Sequence, residues 1–158
     1  MSTVRMLLLA CVIAPLAACT TLGPQFTPDT AVRADRATVY VYRPGTMGAA
    51  LKPTVTASGV PLADLPAHGY FVYHAAPGEL ELSQKTESTT SVTLDIKTGQ
   101  TYYVKGSIGM GVFVGHPHLV IVSNDEGAKD IAACKLVPGE IPTAETVAKG
   151  PPPKTAAK

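Results

Sequence analysis

Ser91-Val92-Thr93-Leu94-Asp95-Ile96-Lys97 alternates without a break, with Val92, Leu94 and Ile96 on one side and Thr93, Asp95 and Lys97 on the other. A period of two sustained over this length marks a half-buried β-strand, because successive side chains point to opposite faces. The same signal repeats outward from it. Thr98-Gly99 reads as a turn into a strand over residues 100–106 that carries Tyr102, Tyr103 and Val104. Upstream, Pro77-Gly78 turns into residues 79–83, where Leu80 and Leu82 face inward and Glu79 and Glu81 face solvent. Residues 69–74 form another strand, and Val55 lies in a weaker one that turns at Ser58-Gly59. Residues 38–42 are apolar on both faces and are stopped by Arg43-Pro44-Gly45. Downstream, the apolar run Leu119-Val120-Ile121-Val122 is expected to be a central strand. Asn124 to Gly127 caps a short segment reaching Leu136, either a helical turn or a last strand.

Short strands recurring about every ten residues, with Gly and Pro turns between them, predict an all-β antiparallel sandwich over residues 37–142. A parallel α/β fold needs helices of ten or more residues between strands, and the pattern contains none. Hydrophobic residues make up 46% and charged residues 16% of the 158. Thirteen Lys and Arg against twelve Asp and Glu leave no basic field for nucleic acid. Two of the three cysteines fall in the first nineteen residues, so a disulfide framework is excluded.

The N-terminus has a positive charge at Arg5, an apolar run from Met6 to Ala14, and small residues ahead of Cys19. That is the charged, apolar and cleavage-site arrangement of a secretory signal, so residues 1–18 are expected to be a signal peptide. The apolar run falls short of the ~20 residues a spanning helix requires. Residues 19–36, with Gly23-Pro24 and Thr27-Pro28-Asp29, are expected to be a flexible tether. Residues 143–158, rich in Pro, Ala and Lys, are expected to be a disordered tail.

Leu16-Ala17-Ala18-Cys19 resembles the lipobox of bacterial lipoproteins. The resemblance implies cleavage before Cys19, a diacylglycerol on its thiol and an acyl chain on its amine. Thr20 follows where retained inner-membrane lipoproteins tend to carry Asp, which implies the outer membrane. Ile131-Ala132-Ala133-Cys134 has similar letters but no preceding apolar segment, and is not read this way.

Residues 37–44 (Ala-Thr-Val-Tyr-Val-Tyr-Arg-Pro), residues 65–71 (Leu-Pro-Ala-His-Gly-Tyr-Phe), Pro77-Gly78 and residues 99–105 (Gly-Gln-Thr-Tyr-Tyr-Val-Lys) resemble the bacterial domain of unknown function numbered 2846. The resemblance covers roughly Thr38 to Leu136. It implies an envelope protein and assigns no activity. The segment between Gly59 and Leu82 is also similar to PEGA-type surface modules, which implies an immunoglobulin- or transthyretin-like sandwich.

Candidate chemistry is sparse. Cys134 lies between Ile131 and Leu136 without a nearby cation, and is expected to be buried and inert, with an intermolecular disulfide as the alternative. His116-Pro117-His118 places two imidazoles at i and i+2, a spacing that can share a metal, but no acid is spaced to join them and loop histidines are the plainer reading. The glycine-rich residues 106–115 lack the following helix of a phosphate loop, and Ser107 lacks a nucleophile-elbow context. They read as a mobile hairpin whose Met110 and Phe113, with Tyr103, form a candidate partner surface; packing of the same residues in the core is the alternative. The six tyrosines all fall in predicted strands, either as core or as an outward stripe.

The expectation is therefore a membrane-anchored envelope lipoprotein, held through Cys19 and presenting a non-catalytic interaction or structural module to the periplasm. Its partner would be an envelope protein or the cell wall, with no cofactor, no metal and no nucleic acid. The alternatives are a small hydrolase or metal-dependent enzyme using the histidines, and a glycan- or lipid-binding module.

Overall fold

The computed structural model describes residues 22–31, 33–86, 88–110 and 115–150, with the side chain of Met110 excluded. Residues 1–18, expected to be a signal peptide, together with Cys19, Phe113 and residues 151–158 lie outside the described residues. Strands β1 (Ala37–Tyr42), β2 (Thr54–Ala57), β3 (Val60–Asp64), β4 (Gly69–Ala75), β5 (Gly78–Lys85), β6 (Thr89–Ile96), β7 (Thr101–Met110) and β8 (Gly115–Val122) follow in order, then helix α1 (Asn124–Ile131), strand β9 (Lys135–Leu136) and helix α2 (Ala144–Ala148). They form a five-stranded sheet ordered β8-β7-β1-β4-β9 and a four-stranded sheet ordered β3-β2-β5-β6. The two sheets pack as a β-sandwich.

Strand β1 organises the molecule. Val39 and Val41 point into the space between the sheets, level with Phe71 and Tyr73 of β4 and with Tyr102 and Val104 of β7. Val55, Leu82, Leu94 and Ile96 meet them from the four-stranded sheet. The alternation that predicted the β6 strand thus places its apolar side against this core, as the period of two requires. Ser58 and Gly59, with φ of 46° and 83°, sit in the left-handed region that a two-residue hairpin turn between β2 and β3 demands.

The expected β-sandwich of mainly antiparallel sheets is present, with two parallel pairings in it, β1 with β7 and β4 with β9. Three expectations are corrected. Residues 119–122 belong to an edge strand, with Val120 52% and Ile121 45% exposed; the centre belongs to β1, every residue of which is buried. An edge position also accommodates Pro117, which has no N–H for a ladder. Residues 22–26 are not part of a free tether. Gly23 N–H donates to Leu136 O (2.7 Å), Leu136 N–H to Pro24 O (2.8 Å) and Phe26 N–H to Cys134 O (2.9 Å), strapping this segment along β9. Residues 143–150 are not part of a disordered tail, since α2 starts on a Thr143 cap and buries Ala144 and Val147 in the sandwich core. Arg36 and Glu145 join the strap to α2 by an ion pair.

The outer face of the five-stranded sheet carries Tyr40, Tyr42, Tyr70 and Tyr103, and is buried by the strap and by α1. Phe26 meets Tyr40 and Tyr70 edge to face, with ring centroids 5.3 and 5.2 Å away. Helix α1, capped by Ser123, comes so close that a Cβ on Gly127 would lie 2.2 Å from Tyr103 Cγ. Only glycine permits that approach. Lys105 of β7 donates to Asp130 (2.6 Å) and lies 3.5 Å from Glu126, fixing the helix over the sheet.

Candidate functional site

The sequence candidates do not assemble. His116 and His118 project from the exposed side of β8, and His116 Nδ1 lies 3.2 Å from Ser88 Oγ. His74 is on β4, three strands across the sheet, hence more than about 14 Å away at the usual ~4.8 Å strand spacing. His68 occupies the turn before β4 with a φ of 57°. Among the described residues no group of three or more His, Cys, Asp or Glu side chains is placed to hold a metal ion. Tyr103, a candidate partner residue, is corrected to a core residue. It is 7% exposed and stacks on Tyr40 at 5.1 Å, because α1 covers its face of the sheet. Ile108, in the glycine-rich stretch expected to be exposed, is 5% exposed within the β7–β8 hairpin. The Met110 side chain and Phe113 lie outside the described residues.

Cys134 is fully buried beneath the strap, and burial pushes its thiol up to about 11. The thiolate that any nucleophilic use requires is therefore suppressed at neutral pH. Because the folded state holds the proton more tightly than the free thiol at 9.0, the stability from this site is complete below pH 9 and lost as pH rises through 11.

Arg43 went unrecognised in the sequence, where Arg43-Pro44-Gly45 reads only as a strand stop. Its side chain is fully buried, and its guanidinium donates to the carbonyls of Leu51 (2.8 Å), Met47 (2.5 Å) and Gly48 (2.8 Å). Burial lowers its pKa, with no carboxylate among these partners to offset that. The fork geometry gives it a structural role, nailing residues 44–53 to the sandwich.

Two grooves flank the junction of strap and α2, with Ile141 in the wall of both. The first, about 370 Å³, holds Arg33, Arg36, His74 and Glu145 above Val72. Its charges largely satisfy one another: Arg36 holds Glu145 well below the ordinary carboxylate range, at about 2. His74 Nε2 lies 3.8 Å from Asp29, while burial and then the Arg33 charge lower its pKa, leaving it neutral at physiological pH. The second groove, about 390 Å³, is lined by Leu22, Leu62, Pro66, Val137 and Ile141, with Lys52, Asp64 and Glu140 at the rim. It has the size and apolar lining of a small-ligand site, and the strap delivers Leu22 into it. Neither groove was legible in the sequence, since each joins segments from distant parts of the chain.

Residues 33–117 match the family model described as "Protein of unknown function (DUF2846)". The match covers β1 to β7 and ends inside β8, on a shorter span than the resemblance over Thr38 to Leu136 had implied. An uncharacterized protein of Haemophilus influenzae is 31% identical over 100 residues, covering 62% of this chain and 59% of that relative. The match therefore spans about three fifths of the relative's own length. No solved structure matches the chain.

Proposed function

Since the chain belongs to the DUF2846 family of proteins of unknown function, we propose that it is an envelope lipoprotein, anchored through an acylated Cys19 in the outer membrane, whose β-sandwich serves in the periplasm as a non-catalytic interaction or structural module. The observation that carries this reading is the attachment of the strap. The chain becomes hydrogen-bonded to the domain at Gly23, four residues after the lipobox cysteine. A lipid anchor at that point would hold the domain against the bilayer rather than on a long leash. The separation of His74 from His116 and His118 across the sheet supports a module over a histidine-based enzyme, which needs its groups within hydrogen-bond reach.

Envelope fractionation of the Cys19→Ala chain tests the anchor. Loss of the protein from the outer-membrane fraction, with accumulation of the unprocessed form, is expected. A mature-sized Cys19→Ala protein that remains in the membrane would refute the anchor. For the module, cross-linking in intact cells should capture the protein with an envelope component, in a pattern unchanged by His116→Ala with His118→Ala.

A further inference from the structure

The second groove and the anchor are close neighbours in the chain. Leu22, the first residue the structure describes, lines the groove and packs against the sandwich core, and Gly23 is pinned to Leu136 immediately behind it. Cys19 lies three residues upstream of Leu22. Even fully extended, three residues span only about 10 to 11 Å. Any acyl chain on Cys19 therefore starts within one short reach of a groove walled by Leu62, Val137 and Ile141.

Resting on the lipoprotein reading above, we infer that this groove receives one of the acyl chains carried by Cys19, so that this end of the domain lies against the bilayer. The apolar walls match a hydrocarbon chain, and burial of methylene groups is favourable without any directional partner. Exchange of the chain between bilayer core and groove is a transfer between two apolar media. Occupancy is then governed by the high effective concentration that a three-residue connection imposes. The rim charges Lys52, Asp64 and Glu140 surround the groove mouth, at the level where a domain resting on lipid meets the head groups.

The test is intramolecular photo-cross-linking. Cells expressing the full chain are grown with a palmitate analogue bearing a diazirine, irradiated, and the protein's peptides are mapped by mass spectrometry. The expected result is anchor-derived cross-links on peptides containing residues 62–66 and 137–141. Their yield should fall several-fold in Ala63→Trp, which fills the groove, and in Pro138→Trp, which crowds its exposed rim, with acylation of Cys19 unchanged. Acylated protein whose cross-links go only to phospholipid would overturn the groove inference and leave the anchor standing. A chain bearing no fatty acid would sink both. Equal labelling of the groove peptides in a Cys19→Ser chain would show that free lipid occupies the groove, and would also overturn the inference.

Discussion

The two faces of the five-stranded sheet are buried by different means. The inner face is mainly aliphatic, with Phe71 and Tyr73 among its residues, and closes chiefly against a second sheet, so most contacts are between strands with a periodic pattern of their own. The outer face is tyrosine-rich and closes against a strap, one short helix and Cys134. The contrast teaches that a strand buried on both sides need not lie between two sheets. Aromatic rings are broad enough for a few isolated residues, such as Phe26 and Ile131, to cover them.

Mutations should separate the faces. Phe71→Ala empties a fully buried position of the inner core and is expected to cost about 3–5 kcal/mol in urea denaturation. A smaller loss there than for any outer-face substitution would reverse the ranking of the two faces. Gly127→Val forces a side chain into the Tyr103 ring. It should lift α1 and cost about 1–3 kcal/mol, with a changed near-ultraviolet tyrosine signal while far-ultraviolet strand content is kept. Phe26→Ala removes a half-buried ring that covers two tyrosines. A loss of roughly 2 kcal/mol, below the full core value, is expected. Labelling of Cys134 by a thiol reagent at neutral pH should accelerate markedly in the same variant; unchanged labelling would mean that the strap does not guard the thiol.

Ending the chain after Pro142 removes α2 with Ala144 and Val147, and should lower stability by about 1.5 kcal/mol from the lost burial of the valine. Ending it after Gly150 should leave the melting temperature unchanged. The smallest effect belongs to the Arg36–Glu145 pair, which is exposed to solvent. The Glu145 carboxyl is depressed from 4.5 to about 2, so its contribution is complete above pH 4.5 and is lost as pH falls through 2. Glu145→Gln should flatten the acid limb of the melting curve over that window and leave the limb above it alone.

The inner face was readable because each of its strands repeats one chemical choice at every second position, as Val92, Leu94 and Ile96 do. The outer cover was not, for a physical reason. The strap and α1 each press only one or two side chains onto the outer face, Phe26 in one case and Ile131 in the other, and so few contacts set up no period. Pro24, Pro28 and Pro142 look like linker residues, yet they lie in segments whose backbone bonds go to β9 or lead into α2. The edge position of β8 was hidden because an apolar run reads alike whether one or both flanks are paired. The parallel partnership of β1 with β7 is a long-range fact that no local window contains. The second groove, whose walls come from residues 22, 62–66 and 137–141, was hidden for the same reason.

That parallel partnership also bears on how the chain reaches its native state. β1 is the first strand in the sequence, yet its two neighbours, β4 and β7, follow much later. A chain that emerges with its N-terminus first must carry Val39-Tyr40-Val41-Tyr42 with one edge open, even after β4 has paired, until β7 has appeared. Closing such distant pairs is slow, and an uncharged segment of high β-propensity left open in the meantime is prone to assemble with copies of itself. For this protein the interval between emergence and completion of β7, rather than the finished fold, is the period of greatest aggregation risk, and a holding chaperone would be most useful there.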